Sequence, residues 1–235
     1  MDYPKSLKPT KWVFSQIFSA LEQSRGFSLI RLGDGEALAI AHDKLIQFSE
    51  IPQWLKNGYV GISLPNKGIV SRLVAVIKKA DIVGVPVEDW KHFKPLMLRN
   101  MSYYNFVPQN LCHSRINFHL YDSKLLHKII ENRKIIVVGR KAKEAVSSFS
   151  KLAKEVKCYP LNNLTDLDNT FSKIKMDMDF SIALVAAGIP AKILCVRLAV
   201  LGKIAIDIGH VLDAVVNYRD RDILKIMARW QSQKG

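Results

Sequence analysis

The chain has 235 residues, of which 49% are hydrophobic and 24% are charged, and its formal net charge is +14. This length suits one domain with a sizeable core, and the composition excludes intrinsically disordered, collagen-like and disulfide-dense classes. The three cysteines are far apart and show no zinc-ligand spacing, so we expect a reducing, cytoplasmic compartment. We also expect neither a signal peptide nor a membrane span, because proline and basic residues interrupt the most apolar stretch.

The net positive charge is compatible with several kinds of anionic partner and does not identify one of them. Lysines and arginines are spread along the chain, and aromatic residues are not interleaved with them. This pattern favours a solvated basic surface over a specific nucleic-acid site. It also allows weak peripheral association with an anionic membrane surface, and a basic polyanion-binding module is one alternative function.

Short apolar runs alternate with amphipathic stretches along the chain. The predicted strands are 27–32, 81–85, 134–138, 181–187 and 203–208, and the predicted helices are 12–24, 67–80, 142–156, 190–201 and 220–230. Such alternation is typical of an α/β, Rossmann-like domain with a mostly parallel sheet and helices on both faces. We predict a single domain over 1–235, with a helical lead-in at 1–26 and a closing helix within 214–235.

In parallel sheets of this class, ligands bind beyond the carboxyl ends of the strands. The first predicted strand runs into RLGDGE, residues 31–36. If that segment is extended, Asp34 and Glu36 project to the same side, where two carboxylates suit Mg²⁺ or Mn²⁺ on a diphosphate. Gly33 and Gly35 would let a ligand approach the backbone, and Arg31 could neutralise phosphate. The alternative is a turn in which Asp34 caps a helix over 36–42.

The last predicted strand ends in DIGH, residues 207–210. Asp207 lies in an apolar run, where an unpaired carboxylate is costly to bury, so we predict a general base or a metal or ribose contact. His210 could transfer a proton or bind phosphate. The alternative is that Asp207 caps a loop and His210 begins the last helix.

Two glycine turns precede predicted helices: Gly188 lies before one, and Gly139 with Arg140 and Lys141 lies before another. The N–H groups at such helix starts favour anions. Neither turn matches a P-loop or a dinucleotide fingerprint, and tight packing is the alternative for both. We expect His119, in RINFHLY, on a half-buried strand.

Together, these motifs resemble those of the bacterial GT-D fold glycosyltransferases. The family pattern R-[FIL]-G-D-G-E is matched at 31–36, and residues 84–86 are similar to the family segment G-[IV]-P. The C-terminal pattern [LI]-D-[IL]-G-H is matched by Asp207, Gly209 and His210. The matches follow the family order over most of the chain, which makes them more specific than any one motif.

The resemblance implies a transferase that moves a sugar from a nucleotide-sugar donor, commonly a UDP-sugar, to a glycan or glycoprotein acceptor. It assigns a divalent metal, Mn²⁺ or Mg²⁺, to Asp34 and Glu36, against the donor diphosphate. Residues 88–130 align with no family motif, and the acceptor side is expected there. The expected location is the cytoplasm, at the inner face of the membrane.

The residues and the resemblance agree on one mechanistic hypothesis. The metal withdraws charge from the leaving diphosphate, which Arg31 or N–H groups near Gly188 or Gly139 also stabilise. Asp207 or His210 then deprotonates the acceptor hydroxyl. The main alternative is another Rossmann-like enzyme, of methyltransferase or NAD type, whose first-turn acidic residue holds the ribose of an adenine cofactor.

Overall fold

The computed structural model describes residues 2–87 and 92–218, which form one sheet flanked by helices. The strands are β1 Leu7–Lys8, β2 Phe27–Arg31, β3 Ile82–Val85, β4 Leu111–His113, β5 Lys134–Gly139, β6 Glu155–Tyr159, β7 Ile182–Ala186 and β8 Ile204–Asp207. The helices are α1 Thr10–Glu22, α2 Asp34–Ala41, α3 Gln53–Lys56, α4 Lys67–Lys79, α5 Phe93–Tyr103, α6 Ile116–Asp122, α7 Leu125–Ile130, α8 Ala142–Phe149, α9 Leu167–Met176, α10 Ile189–Val200 and α11 Val211–Tyr218. Two short 3₁₀ helices are Phe48–Glu50 and Leu164–Asp166.

The strands run in the order β1-β4-β3-β2-β8-β7-β5-β6, and the paired strands are parallel. Leu29 of β2 pairs with Ile82 on one side and with Ile206 on the other. The neighbours β5 and β7 continue in opposite directions, β5 outward to β6 and β7 inward to β8. In open α/β sheets, such a reversal of strand order marks the place beyond the carboxyl ends of the strands where ligands bind.

Two apolar cores lie on opposite faces of the sheet. Ile30 belongs to the core shared with α2, α4, α5, α9 and α10, whereas its neighbour Leu29 belongs to the core shared with α1, α6, α7, α8 and α11. Successive strand residues point to opposite faces, so a strand covered on both sides is apolar throughout. The prediction of a Rossmann-like α/β fold with a parallel sheet and helices on both faces is confirmed.

The five predicted strands are present, but β1, β4 and β6 were not predicted. β6 lies at the end of the predicted helix 142–156, which in fact ends at Phe149. All five residues of β6 are only partly buried, because it is an edge strand, and it therefore lacks the apolar run of the central strands.

Two further predictions concern His119 and the helix at 220–230. His119 lies on α6, so its prediction as a strand histidine is wrong; short apolar runs do not distinguish a strand from a buried helix. The predicted helix 220–230 lies outside the described residues. Among the helices that the structure describes, none is long and apolar enough to cross a membrane.

Candidate active site

The chain turns directly from β2 into α2, so the two carboxylates of RLGDGE lie in the first turn of a helix. The expectation that Asp34 and Glu36 share one side of an extended segment is therefore wrong, because helical residues two apart point about 200° apart. Gly33, not Asp34, is the N-cap. Glu36 is buried and accepts a 2.7 Å hydrogen bond from the Gly33 N–H. Asp34 stays partly exposed and accepts a 2.8 Å bond from the N–H of Gly35.

A buried ionic network ties this turn to the end of β8. The ammonium of Lys192, on α10, lies 2.8 Å from Glu36 Oε1 and 3.0 Å from Asp207 Oδ2, and it donates a 3.1 Å hydrogen bond to the Gly188 carbonyl. Asp207 Oδ1 lies 3.2 Å from Nη2 of Arg31. Two positive and two negative charges thus balance in the interior, which offsets the cost of removing them from water.

The network decides the ionisation of its members. Burial raises the pKa of Asp207, but the charges and hydrogen bonds of Arg31 and Lys192 outweigh it, and the pKa lies below the ordinary 3.8. Burial lowers the pKa of Lys192, but Asp207 and Glu36 raise it above the ordinary 10.5. Asp207 is only 1% exposed. It is therefore a buried counter-ion, and the prediction that it acts as a general base is not supported by this geometry.

Arg31 is engaged within the protein rather than turned toward a phosphate. Its Nε donates to the Asp207 carbonyl at 2.9 Å, and its Nη1 donates to the carbonyl of Ser114 at 3.1 Å and to Oδ1 of Asn117 at 3.2 Å. A Cβ at Gly209 would lie 1.9 Å from Nη2 of Arg31. A residue larger than glycine does not fit at position 209, because the Arg31 guanidinium occupies that space.

Gly35 was predicted to let a ligand approach and Gly188 to begin an anion-binding helix, but both instead pack against the segment that carries Val60. A Cβ on Gly35 would lie 2.7 Å from Cγ1 of Val60, and one on Gly188 would lie 2.3 Å from the Val60 carbonyl oxygen. That carbonyl also accepts a 2.8 Å hydrogen bond from the N–H of Ile189. Pro190 has no N–H, and the N–H of Ala191 donates to the Gly188 carbonyl at 3.1 Å, so the first three residues of α10 do not direct donors at a phosphate as predicted.

Tight packing also explains Gly139, at the end of β5. Its φ is +153°, and a Cβ there would lie 2.3 Å from the carbonyl oxygen of Ala186 on β7. This glycine brings the ends of β5 and β7 together. Of the residues that follow it, Arg140 is exposed and Lys141 is partly exposed.

A second cluster lies at the same edge of the sheet and is open to solvent. His210 Nδ1 lies 2.9 Å from Asp213 Oδ2, and the Lys141 ammonium lies 2.9 Å from Asp213 Oδ1. The three residues follow β8, begin α11 and follow β5, respectively. The His210 side chain is 51% exposed, so it can reach a ligand.

Asp213 is the carboxylate partner of His210. Burial raises the pKa of Asp213, but hydrogen bonds from His210 and Lys141, together with their charges, hold it below 3.8. An ionised carboxylate that accepts the Nδ1 proton leaves the imidazole lone pair on Nε2. The geometry therefore favours His210 over Asp207 as the group that accepts a proton.

Tyr59 adds an aromatic ring to this edge and is 57% exposed. Burial of its hydroxyl, together with the negative charges of Asp213 and Asp34, raises the pKa of Tyr59. The hydroxyl therefore stays protonated, within electrostatic range of carboxylates from both α2 and α11. Its position beside Val60 follows from the packing of that segment over the two glycines.

The carboxylates of the D-x-E motif do not fit a divalent ion held jointly by Asp34 and Glu36. The two side chains diverge on α2, and both oxygens of Glu36 already have partners, the Gly33 N–H and the Lys192 ammonium. Among the residues that the structure describes, no group of three or more His, Cys, Asp or Glu side chains could hold a metal ion. Glu36 thus has a protein cation where a metal was expected.

We expect Asp207→Asn to lower the free energy of unfolding at neutral pH by about 3 kcal/mol, because Arg31 and Lys192 lose their buried counter-ion. Because the folded pKa of Asp207 is lowered, its contribution is present above the unfolded pKa of about 4 and is lost as the pH falls through the folded value. Urea unfolding of both proteins across that range measures this. A difference that stays constant down to about pH 3 would contradict the assignment.

Sequence reasoning missed Lys192 and Tyr59, gave Asp213 no role, and named Lys141 only as added positive charge at the helix start after Gly139. Lys192 had one signal, a lysine inside the apolar helix IPAKILCVRLAV. Tyr59 had none, since long-range packing alone brings its loop to this edge.

The parallel sheet and the charged residues at its carboxyl edge define an α/β domain with its candidate site where such sheets bind ligands. A family model described as the GT-D fold-like domain matches residues 8–215. The chain therefore belongs to the GT-D fold-like family, which classes it with the glycosyltransferases, and the predicted resemblance is confirmed.

Solved structures share this fold at low sequence identity. One is described as a new glycosyltransferase (DUF1792) from Streptococcus sanguinis, with a TM-score of 0.61 and 19% identity over 84% of this chain and 80% of that chain. Another is described as the highly conserved domain of unknown function 1792 with a distinct glycosyltransferase fold, with a TM-score of 0.61 and 16% identity over 84% and 77%. No curated protein matches the chain significantly in sequence.

Proposed function

We propose that this protein transfers a sugar from a UDP-sugar to a hydroxyl group of a glycan or glycoprotein acceptor. Membership of the GT-D fold-like family supports glycosyl transfer. The observation that carries the site is the cluster of His210, Asp213 and Lys141, which is partly exposed where β5 and β8 end. Neither an adenine-cofactor enzyme nor a polyanion-binding module accounts for the family match.

In this proposal, His210 is the general base and Lys141 assists the leaving group. Nε2 of His210 takes the proton of the acceptor hydroxyl as its oxygen attacks the anomeric carbon. The bond between that carbon and the donor phosphate breaks, and UDP leaves with the electron pair. Lys141 and the exposed Arg140 stabilise the developing negative charge, while Asp213 stabilises the imidazolium.

The metal stays a prediction. Mn²⁺ or Mg²⁺ on Asp34 and Glu36 was expected from the family resemblance, but the ion pair of Glu36 with Lys192 opposes that ligand set. Asp34 is the carboxylate of the motif that remains partly exposed. We therefore assign leaving-group stabilisation to protein cations in this proposal.

The proposed acceptor and location follow from the family resemblance and the net charge. A glycan or glycoprotein of a surface polymer, assembled on the cytoplasmic side, fits the family resemblance. The net charge of +14 supports weak attraction of the protein to an anionic inner membrane face.

We expect UDP to raise the melting temperature of the protein by roughly 5–10 °C at about 100 times its Kd, because ligand binding stabilises a chain of this size by about that much. A thermal-shift titration with UDP, with and without Mn²⁺, measures the effect in the wild type and in Asp34→Asn. The double variant Arg140→Ala/Lys141→Ala should lose most of the shift. Lys143→Ala, which removes an exposed lysine from α8, is the matched control and should keep it.

The competing enzyme class predicts a different result. A rise with S-adenosylmethionine or NAD and none with UDP would overturn the proposal. If the double variant keeps the shift in melting temperature with UDP, the diphosphate binds somewhere other than this edge of the sheet.

A further inference from the structure

Lys192 occupies the position that a cation would take between two carboxylates. The residue is 3% exposed, and its ammonium contacts three oxygens: Glu36 Oε1 at 2.8 Å, Asp207 Oδ2 at 3.0 Å and the Gly188 carbonyl at 3.1 Å. These oxygens come from three separate segments, the start of α2, the end of β8 and the turn before α10. The lysine therefore joins three of the strand-end segments that sequence reasoning assigned to the active site.

The charge balance leaves no need for a further cation in this network. Arg31 and Lys192 carry two positive charges, and Asp207 and Glu36 carry two negative charges. A divalent ion at Glu36 would lie beside an ammonium in a region of low dielectric, where like charges repel strongly. It would bind there only after Lys192 had been displaced from its partners.

We propose that Lys192 is the resident cation of this site, so that Glu36 and Asp207 are positioning residues rather than metal ligands or catalytic groups. Of the two carboxylates of the D-x-E motif, Asp34 is the one that is partly exposed. The inference concerns the charged network itself, and it rests on the proposed function only where UDP serves as a probe.

The network positions two groups at the open edge. Glu36 is two residues from Asp34, and Asp207 is three residues before His210. Because Lys192 binds both carboxylates, it holds the start of α2 at a set distance from the end of β8. Lys192 thus links the placement of Asp34 to that of His210 without touching a substrate.

A charge-balance cycle tests the first part of this proposal. Lys192→Met leaves two buried carboxylates with one arginine, and we expect the melting temperature to fall by roughly 10 °C. Glu36→Gln alone should also lower it, because Lys192 loses one partner. The double variant Glu36→Gln/Lys192→Met restores neutrality and should recover at least half of the loss caused by Lys192→Met. Losses that simply add would overturn the proposal.

Ligand binding to the stable double variant tests the second part. Calorimetry with Mn²⁺ alone, and with UDP in the presence and absence of EDTA, should give dissociation constants within about threefold of the wild-type values. A loss of about tenfold or more in Mn²⁺ or UDP affinity, with stability recovered, would make Glu36 a ligand and overturn the proposal. Asp34→Asn is the control, since the Lys192 ammonium contacts Glu36, Asp207 and Gly188, and this variant should leave the coupling between Glu36 and Lys192 unchanged.

The two proposals fail in distinguishable ways. If wild-type protein binds no UDP, the proposed function fails, whereas the stability cycle and the Mn²⁺ titration still test the role of Lys192. If UDP binds and the stability losses are additive, the inference about Lys192 fails and the proposed function stands.

Discussion

Replacing His210 with alanine is expected to lower kcat for sugar transfer by about 10²–10⁴-fold, the usual contribution of a positioned general base. The side chain is 51% exposed, so its loss should leave the melting temperature nearly unchanged. Initial rates of transfer at saturating donor and acceptor measure kcat. The Kd for UDP, measured by calorimetry, should stay within about threefold of the wild type, because the base acts on the acceptor.

Asp213→Asn separates this role from a merely structural one. The amide cannot hold the tautomer and the charge that the carboxylate imposes on His210, so kcat should fall while UDP binding persists. Unchanged kcat in His210→Ala at saturating substrates would remove His210 from the mechanism. A parallel loss of kcat and UDP affinity would instead indicate that His210 contacts the donor.

Gly188→Ala is expected to lower the free energy of unfolding by about 3 kcal/mol, which corresponds to roughly 6–12 °C in melting temperature. Two costs add. The residue has a φ of +58°, and its new Cβ would lie 2.3 Å from the Val60 carbonyl oxygen. The Val60 backbone must then move, which weakens the hydrogen bond that it accepts from Ile189.

Gly202→Ala is the matched control for backbone strain. Its φ is +80°, but nothing lies within 4 Å of the added Cβ, so a loss of about 1–2 kcal/mol is expected. Thermal or urea unfolding of the two variants separates the steric part from the conformational part. Equal losses of unfolding free energy at Gly188 and Gly202 would show that the Val60 backbone moves at little cost. The start of α10 would then be accessible to an anion.

Much of the fold could be predicted because the central strands carry a clear local signal. β5 and β7 are buried on both faces, so their sequences are continuous Ile- and Val-rich runs that end in small residues. The signal weakens at the edge of the sheet. All five residues of β6 are only partly buried, so the apolar spacing of α8 predicts a helix that runs on into this strand.

The charged residues of the site show what a local sequence pattern predicts and what it does not predict. The motifs at 31–36 and 207–210 indicated the right family and the right edge of the sheet, because residue type and order are properties of the chain itself. The residues that these motifs contact cannot be identified from the local sequence. Arg31 and Asp207 are 176 residues apart and meet because β2 pairs with β8. Lys192 and Val60 become neighbours of the same motifs only through packing.

The sequence therefore determines which residue types are present at the site. The role of each residue depends on its neighbours in space. An aspartate in an apolar strand can be a base or a counter-ion, and a glycine can admit a phosphate or a carbonyl group. Packing decided these cases for Asp207 and Gly188. The reason is physical, since the ionisation and accessibility of a buried group depend on the charges and atoms around it, which come from distant parts of the chain.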